Sequence, residues 1–301
     1  APSQSTHSVA TLSGGTLHLG SGGLQYIFSD TNGTRFTFGD VTIIAEEDWK
    51  TEKGDGSIGL TATEAGKKTT LDANGHNITF NHALTGGGKL LTTGEGIITF
   101  NKNVAGDLEV RSGYTVIYGY GTNLAVTGGT AWIRHNVTAD VQLKGGALDV
   151  GKGVTLGAVT APGAAEGGAV SSTLETHAAN ITTLTVQSGA AVEQHGAIIV
   201  NTVDNSGSLR LNGPVILGGN TADEKTHLAS STDLYIRRVL DSSAIYAPRS
   251  AVKTGAGDLE LGDGMGDGNI LELNGGTLSG NFNNGTLKVG VDALTASGKT
   301  L

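Results

Sequence analysis

Apolar and polar residues alternate along this chain in short runs, and glycine or a turn cluster closes almost every run. "TRFTFGDVTII", "HNITFNHAL", "GIITFNKNV", "YTVIYGY", "TAWIRHNV", "GAIIVNTV" and "DLYIRRVL" are rich in β-branched residues and bounded by Gly, Asn, Asp or Ser. Each is about as long as an average strand. An amphipathic helix would need unbroken windows of about 11 residues with apolar positions three and four apart. The best candidate, "VTIIAEEDWKTEKG", has a β-branched first part and a second part with no apolar face, so it reads as a strand followed by an exposed loop. The pattern predicts an all-β chain.

One five-residue pattern recurs: Gly, any residue, Leu, any residue, Leu or Val. It stands at Gly15 ("GTLHL"), Gly106 ("GDLEV"), Gly146 ("GALDV"), Gly207 ("GSLRL"), Gly257 ("GDLEL") and Gly285 ("GTLKV"), with looser copies ending at Val126 and Val186. The spacing is irregular: 16 residues separate Leu108 from Leu124, and 28 separate Leu259 from Leu287. A repeated strand joined by turns of variable length describes a parallel β-helix, in which each coil stacks its strand on the one below and extra residues bulge outward. Alternation sends the two apolar residues inward and the middle residue outward. His18, Glu109, Asp149, Arg210, Glu260 and Lys288 are then expected on one solvent-facing sheet. The competing architecture is an antiparallel sandwich, for which the Asn–Gly pairs at Asn32, Asn74, Asn212, Asn274 and Asn284 would supply hairpin turns. The recurring pattern favours stacking.

Composition narrows the function classes. Aromatic residues make up only 5% while glycine stands at 49, which suits thin repeated layers better than one bulky core. A net charge of −9 with mixed signs along the chain argues against a phosphate-tracking surface, so no nucleic-acid partner is expected. The absence of cysteine excludes a disulfide scaffold, a thiolate metal site and a cysteine nucleophile.

The segment "AVKTGAGDLELGDG", followed by "NGGTLSGNFNNGTLKVG", resembles the passenger repeats of bacterial autotransporters. "LTTGEGIITFNKNVAGDLEVRSG" and "LKGGALDVGKGVTLG" are similar in a looser way. The resemblance implies a right-handed parallel β-helix over residues 12–301, preceded by a flexible segment over 1–11, with a C-terminal membrane barrel lying outside this stretch. It also implies export through the periplasm to the bacterial cell surface. Membrane contact is expected only through that barrel. The family includes adhesins, aggregation factors and proteases, so the resemblance does not choose the activity.

The candidate chemistry is sparse. Asp258, Glu260, Asp263 and Asp267 in "GDLELGDGMGDGN" look like a calcium loop, but only one partial copy of the nonapeptide pattern occurs. His76 and His82 lie six residues apart, about 20 Å along an unbroken strand, too far to share a metal. "AEEDWK" places Glu46, Glu47 and Asp48 beside Trp49, whose indole could stack on a sugar, yet no second acidic cluster pairs with it as a glycosidase would need. The longest expected loops, 46–59, 161–179, 219–233 and 241–250, are the natural place for specificity, and Tyr246 and Arg249 suit a contact surface.

Three functions remain. The first is a non-catalytic adhesin or self-association module with no cofactor, whose partner is a host glycan, a host protein or another copy of itself. The second is an inert stalk presenting another domain. The third is a carbohydrate-active, pectate-lyase-like enzyme. At about 20–24 residues per coil and about 4.8 Å per coil, the chain predicts a rod on the order of 60 Å long. Small-angle scattering is expected to give the distance distribution of such a rod, and a compact globule would overturn the architecture.

Overall fold

The computed structural model describes residues 10–24, 34–51, 56–61, 67–120, 123–137, 140–164, 169–218, 225–240, 249–282 and 284–290. Among them every regular element is a strand, and no helix is long and apolar enough to cross a membrane. The chain divides into two compact units, Ala1–Ala139 and Asp140–Leu301.

In the first unit strands pair with strands further along the chain, always in parallel. One ladder runs through Thr16–Leu19, Thr42–Ala45, Thr69–Asp72, Leu90–Thr93, Leu108–Val110 and Leu124–Val126. A second runs through Trp49–Lys50, Asn77–Phe80, Ile97–Val104, Tyr114–Tyr120 and Thr130–Ile133. A third joins Ala10–Ser13, Thr34–Gly39, Ser57–Leu60 and Ala83–Thr85. Parallel register places equivalent side chains directly above one another. Phe80, Phe100, Ile117 and Ile133 form one inward column, all buried, with the Phe80 and Phe100 rings stacked at 5.4 Å. Burying each such side chain contributes about 1.5–3 kcal/mol.

Parallel pairing sets aside the antiparallel sandwich. Asn74 and Gly75 do adopt the left-handed backbone of a hairpin turn, with φ of 47° and 86°. The strands on either side, Thr69–Asp72 and Asn77–Phe80, nevertheless enter different ladders. The turn is a corner, fixed by the Asn74 amide donating to the Ala45 carbonyl at 3.0 Å.

The second unit is built the same way. Gly146–Val150, Val170–Val186, Ala190–Asn205, Ser208–Leu217, Leu234–Val239, Leu259–Met265 and Leu278–Gly280 form one parallel ladder. Another runs from Val141–Leu143 and Thr155–Ala161 through the ends of the two long strands to Thr226–Ser230, Ser250–Thr254, Ile270–Leu273 and Thr286–Val289. The loop expected over 161–179 is largely strand instead. Val170–Val186 extends over 17 residues and turns its corner at Ala178, at φ 56°, an extra residue where the register with Ala190–Asn205 shifts between His177 and Ala179. Its Ser, Thr and Ala residues look like loop composition but still alternate between buried and open positions. The expected loops at 46–59 and 219–233 likewise contain strands, at Trp49–Lys50, Ser57–Leu60 and Thr226–Ser230.

The repeated pattern does stack, with a phase difference. Leu209, Leu234 and Leu259 share a column, as do Leu211, Ile236 and Leu261. Leu148 joins the second of these columns through Leu174 and Gln194, so the Gly146 copy sits two residues out of step. Asp149 therefore lines up with Glu175 and His195, while Arg210 lines up with Glu260. Lys288 stands in the other ladder beside Glu272, and His18 and Glu109 belong to the first unit in two different columns. The single outward row expected from the pattern is thus several rows.

Some inward positions break the apolar rule. Lys253 lies between Leu228 and Leu273 in its column and is 0% exposed. Its stem packs in the core and its Nζ donates to the carbonyls of Thr254, Gly255 and Gly257 at 2.9, 3.2 and 2.8 Å. Gly255, at φ 85°, turns this corner where an added Cβ would sit 2.2 Å from the Ser230 carbonyl oxygen. Burial pulls the ammonium below the usual lysine range, while the Asp258 carboxylate acts in the opposite direction. Gln194, also 0% exposed, serves another corner: its Nε2 donates to Thr176 Oγ1 and to the His195 and Gly196 carbonyls, each at 2.8 Å. Asn269 does the same for the Leu240 and Gly266 carbonyls. Replacing Lys253 by methionine keeps an apolar stem but removes the donor of the buried Gly257 carbonyl, while solvent can reach the part-buried Thr254 and Gly255 carbonyls. Urea unfolding of Lys253→Met is expected to show a loss of about 1–3 kcal/mol, and unchanged stability would mean the corner needs no internal cation.

Candidate functional site

The acidic turn after Thr42–Ala45 places its three carboxylates on three different partners. Glu46 Oε1 meets His18 Nδ1 at 2.5 Å, and Glu47 Oε2 accepts from the Ser21 backbone N–H at 3.1 Å. Asp48 accepts from the Asn77 backbone N–H and side-chain amide at 2.8 and 2.9 Å, with His76 Nδ1 at 3.6 Å. The backbone N–H of Asn77, then its side-chain amide, hold the Asp48 carboxyl below its ordinary value. These carboxylates tie neighbouring turns together and do not converge on a common point. Trp49 corrects the expectation of an exposed loop: it is 4% exposed and packs edge-on against Phe80 at 5.4 Å, so its indole offers no face to a sugar. A single large apolar residue in a polar segment reads as surface, but the short strand Trp49–Lys50 pairs beside Ile78 and carries the ring inward.

Arg249 donates to the Leu217 carbonyl from its own strand entry, and Tyr246 lies outside the described residues. His82 is buried and hydrogen-bonds Thr51 at 3.0 Å, while His76 reaches toward Asp48. In the segment that resembled a calcium loop, Asp258 Oδ1 accepts from the Thr277 backbone N–H, Glu260 faces outward and Asp263 pairs with Arg237 at 2.9 Å. No cluster of three or more His, Asp or Glu able to hold a metal occurs among the described residues.

Parallel register instead builds outward columns. In the second unit Glu193, Arg210, Tyr235 and Glu260 stand on successive strands of one ladder. Arg210 lays its guanidinium over the Tyr235 ring at 4.2 Å from the centroid. In the adjoining ladder Lys225 bridges to Glu272 at 2.6 Å, and this hydrogen bond, before that of Asn274, lowers the Glu272 carboxyl from its ordinary value. In the first unit Glu109 is held by Lys68 at 2.6 Å and Arg111 at 2.9 Å; burial pushes its carboxyl up, and these two cations outweigh that and bring it below the ordinary value.

The first unit also carries an aromatic face. Tyr114 and Trp132 contact edge to face at 6.1 Å, and Arg134 lies over the Trp132 ring at 4.0 Å and the Tyr118 ring at 5.7 Å. His135 stands 6.1 Å from the Tyr118 ring. Ile97, paired with Tyr114, is 43% exposed, the one large apolar residue so open among the described residues. The segments "YTVIYGY" and "TAWIRHNV" read separately only as strands. Their register, Val116 beside Trp132 and Ile117 beside Ile133, is what brings Tyr118 and Arg134 together. In a chain with 2 tryptophans and 6 tyrosines, one tryptophan and two tyrosines on a single outer face is a marked concentration. The signal available in the sequence was the closeness of these aromatics within residues 114–132.

Comparison of the chain with protein-family models, with curated proteins and with solved structures finds no match.

Proposed function

We propose that this chain is the passenger region of an autotransporter-like surface protein, folded as a right-handed parallel β-helix, that acts as a non-catalytic adhesion or self-association module. The observation that supports this reading is the in-register outward column Glu193, Arg210, Tyr235 and Glu260. Stacked strands lie about 4.8 Å apart, so such a column offers polar, charged and aromatic contacts at a fixed short repeat. Contacts that are individually weak add when many engage together, provided the spacing matches the partner. The motif copies around Gly257 and Gly285 carry the resemblance that implies export through the periplasm to the bacterial cell surface. The partner is a host surface molecule or a second copy of the chain.

Bacteria displaying the segment are expected to settle faster, or to attach to host cells in greater number, than bacteria lacking it. The triple change Glu193→Lys, Arg210→Glu and Glu260→Lys is expected to reduce that effect at unchanged surface display. Equal settling and equal attachment with and without the segment would move the assignment to an inert stalk.

A further inference from the structure

We propose that the outer face of the first unit formed by Tyr114, Tyr118, Trp132 and Arg134 binds an acidic sugar. The Arg134 guanidinium takes the sugar carboxylate, and the neighbouring rings carry the pyranose. This inference rests on the adhesive reading above and names the ligand class for it.

The chemistry begins with Arg134. It is exposed, and its described contacts are the faces of Trp132 and Tyr118. Stacking engages the flat face of a guanidinium and leaves its in-plane N–H fork free for a planar anion. Among the described residues Arg134 forms no ion pair, although the chain carries a net charge of −9. Glu109, a carboxylate of the same unit, is already occupied by Lys68 and Arg111. An arginine held flat on two rings, with no carboxylate partner among the described residues of an acidic chain, is complementary to a carboxylate from outside. A carboxylate takes two parallel hydrogen bonds from this fork.

The platform supplies the second half. Aromatic rings present an apolar face with a polar handle, which suits a sugar ring that is apolar on its C–H side and polar at its rim. Tyr114 and Tyr118 lie four residues apart on one strand, about 13 Å, and Trp132 on the adjoining strand sits beside this span. Ile97 continues the apolar surface below Tyr114, and His135 adds a ring nitrogen beyond Tyr118. One cation within an aromatic surface matches a single carboxylate. A polyanion would need a track of cations, and among the described residues Arg134 is the one cation that lies over these rings.

The purified chain is to be titrated with 3′-sialyllactose, with a galacturonic acid trimer and with neutral lactose, followed by saturation-transfer NMR and tryptophan fluorescence. At least one acidic probe is expected to bind, with lactose about tenfold weaker or more. The probe that binds identifies a sialylated or a uronate ligand. Arg134→Gln is expected to weaken binding roughly ten- to hundredfold with an unchanged melting temperature. Tyr118→Leu tests the platform independently and is expected to weaken the same probe. The assignment is overturned if neither acidic probe binds, if lactose binds as tightly, or if Arg134→Gln binds like the wild type. Settling or attachment that persists in the absence of sugar binding removes the sugar and leaves the adhesive reading standing. Sugar binding by the purified chain without any settling or attachment does the reverse.

Discussion

Everything in each unit depends on parallel, in-register pairing of short strands. Because a parallel neighbour presents the equivalent residue at the equivalent height, each inward position must be compatible with the residue above and the residue below. Columns such as Phe80, Phe100, Ile117 and Ile133 satisfy this with apolar side chains of similar size. The same constraint acts on corners, where each ladder gives way to the next and carbonyls point into a narrow interior. Unpaired carbonyls there would cost about 1–3 kcal/mol each.

Polar side chains resolve the corner problem from inside the core. Lys253, Gln194 and Asn269 occupy buried positions and spend their donors on the carbonyls of nearby turns. Thr92 and Thr115, also buried, satisfy each other's hydroxyls at 2.9 Å. Lys253, Gln194 and Asn269 link the turn geometry to the core: the glycine that bends the chain exposes carbonyls, and the buried donor closes them. Lys253 thereby explains why a lysine opens the "KTGAG" segment, since a four-carbon stem spans the apolar layer and an ammonium head offers three donors at its end.

The outer faces obey a looser rule, because solvent accepts any polar group. Glu193, Arg210, Tyr235 and Glu260 share a column without sharing chemistry, and the aromatic group around Trp132 stands on a ladder whose lower strands present Asn77 and Thr79. Variation on these faces leaves the stacking intact, which is what allows a repetitive scaffold to carry a local recognition surface. The acidic turn Glu46–Asp48 shows the opposite use of exposed charge: its carboxylates bind His18, the Ser21 N–H and Asn77, and so fasten one turn to the next.

The sequence by itself determined that the chain is all-β, because glycine and turn residues interrupt almost every window long enough for a helix and the runs between them alternate with a period of two. It also determined which residues of the Gly207 and Gly257 copies face inward, since that depends only on local alternation. The strand over Val170–Val186 was obscured by its small polar residues, which fit a loop as well as a pleat. Only the tertiary structure decided which strands are neighbours. Register between segments 16 to 30 residues apart is a long-range quantity, fixed by the fit of whole columns. For that reason the out-of-step Gly146 copy, the buried Trp49, the internal role of Lys253 and the meeting of Tyr118, Trp132 and Arg134 could be read only once the strands were stacked.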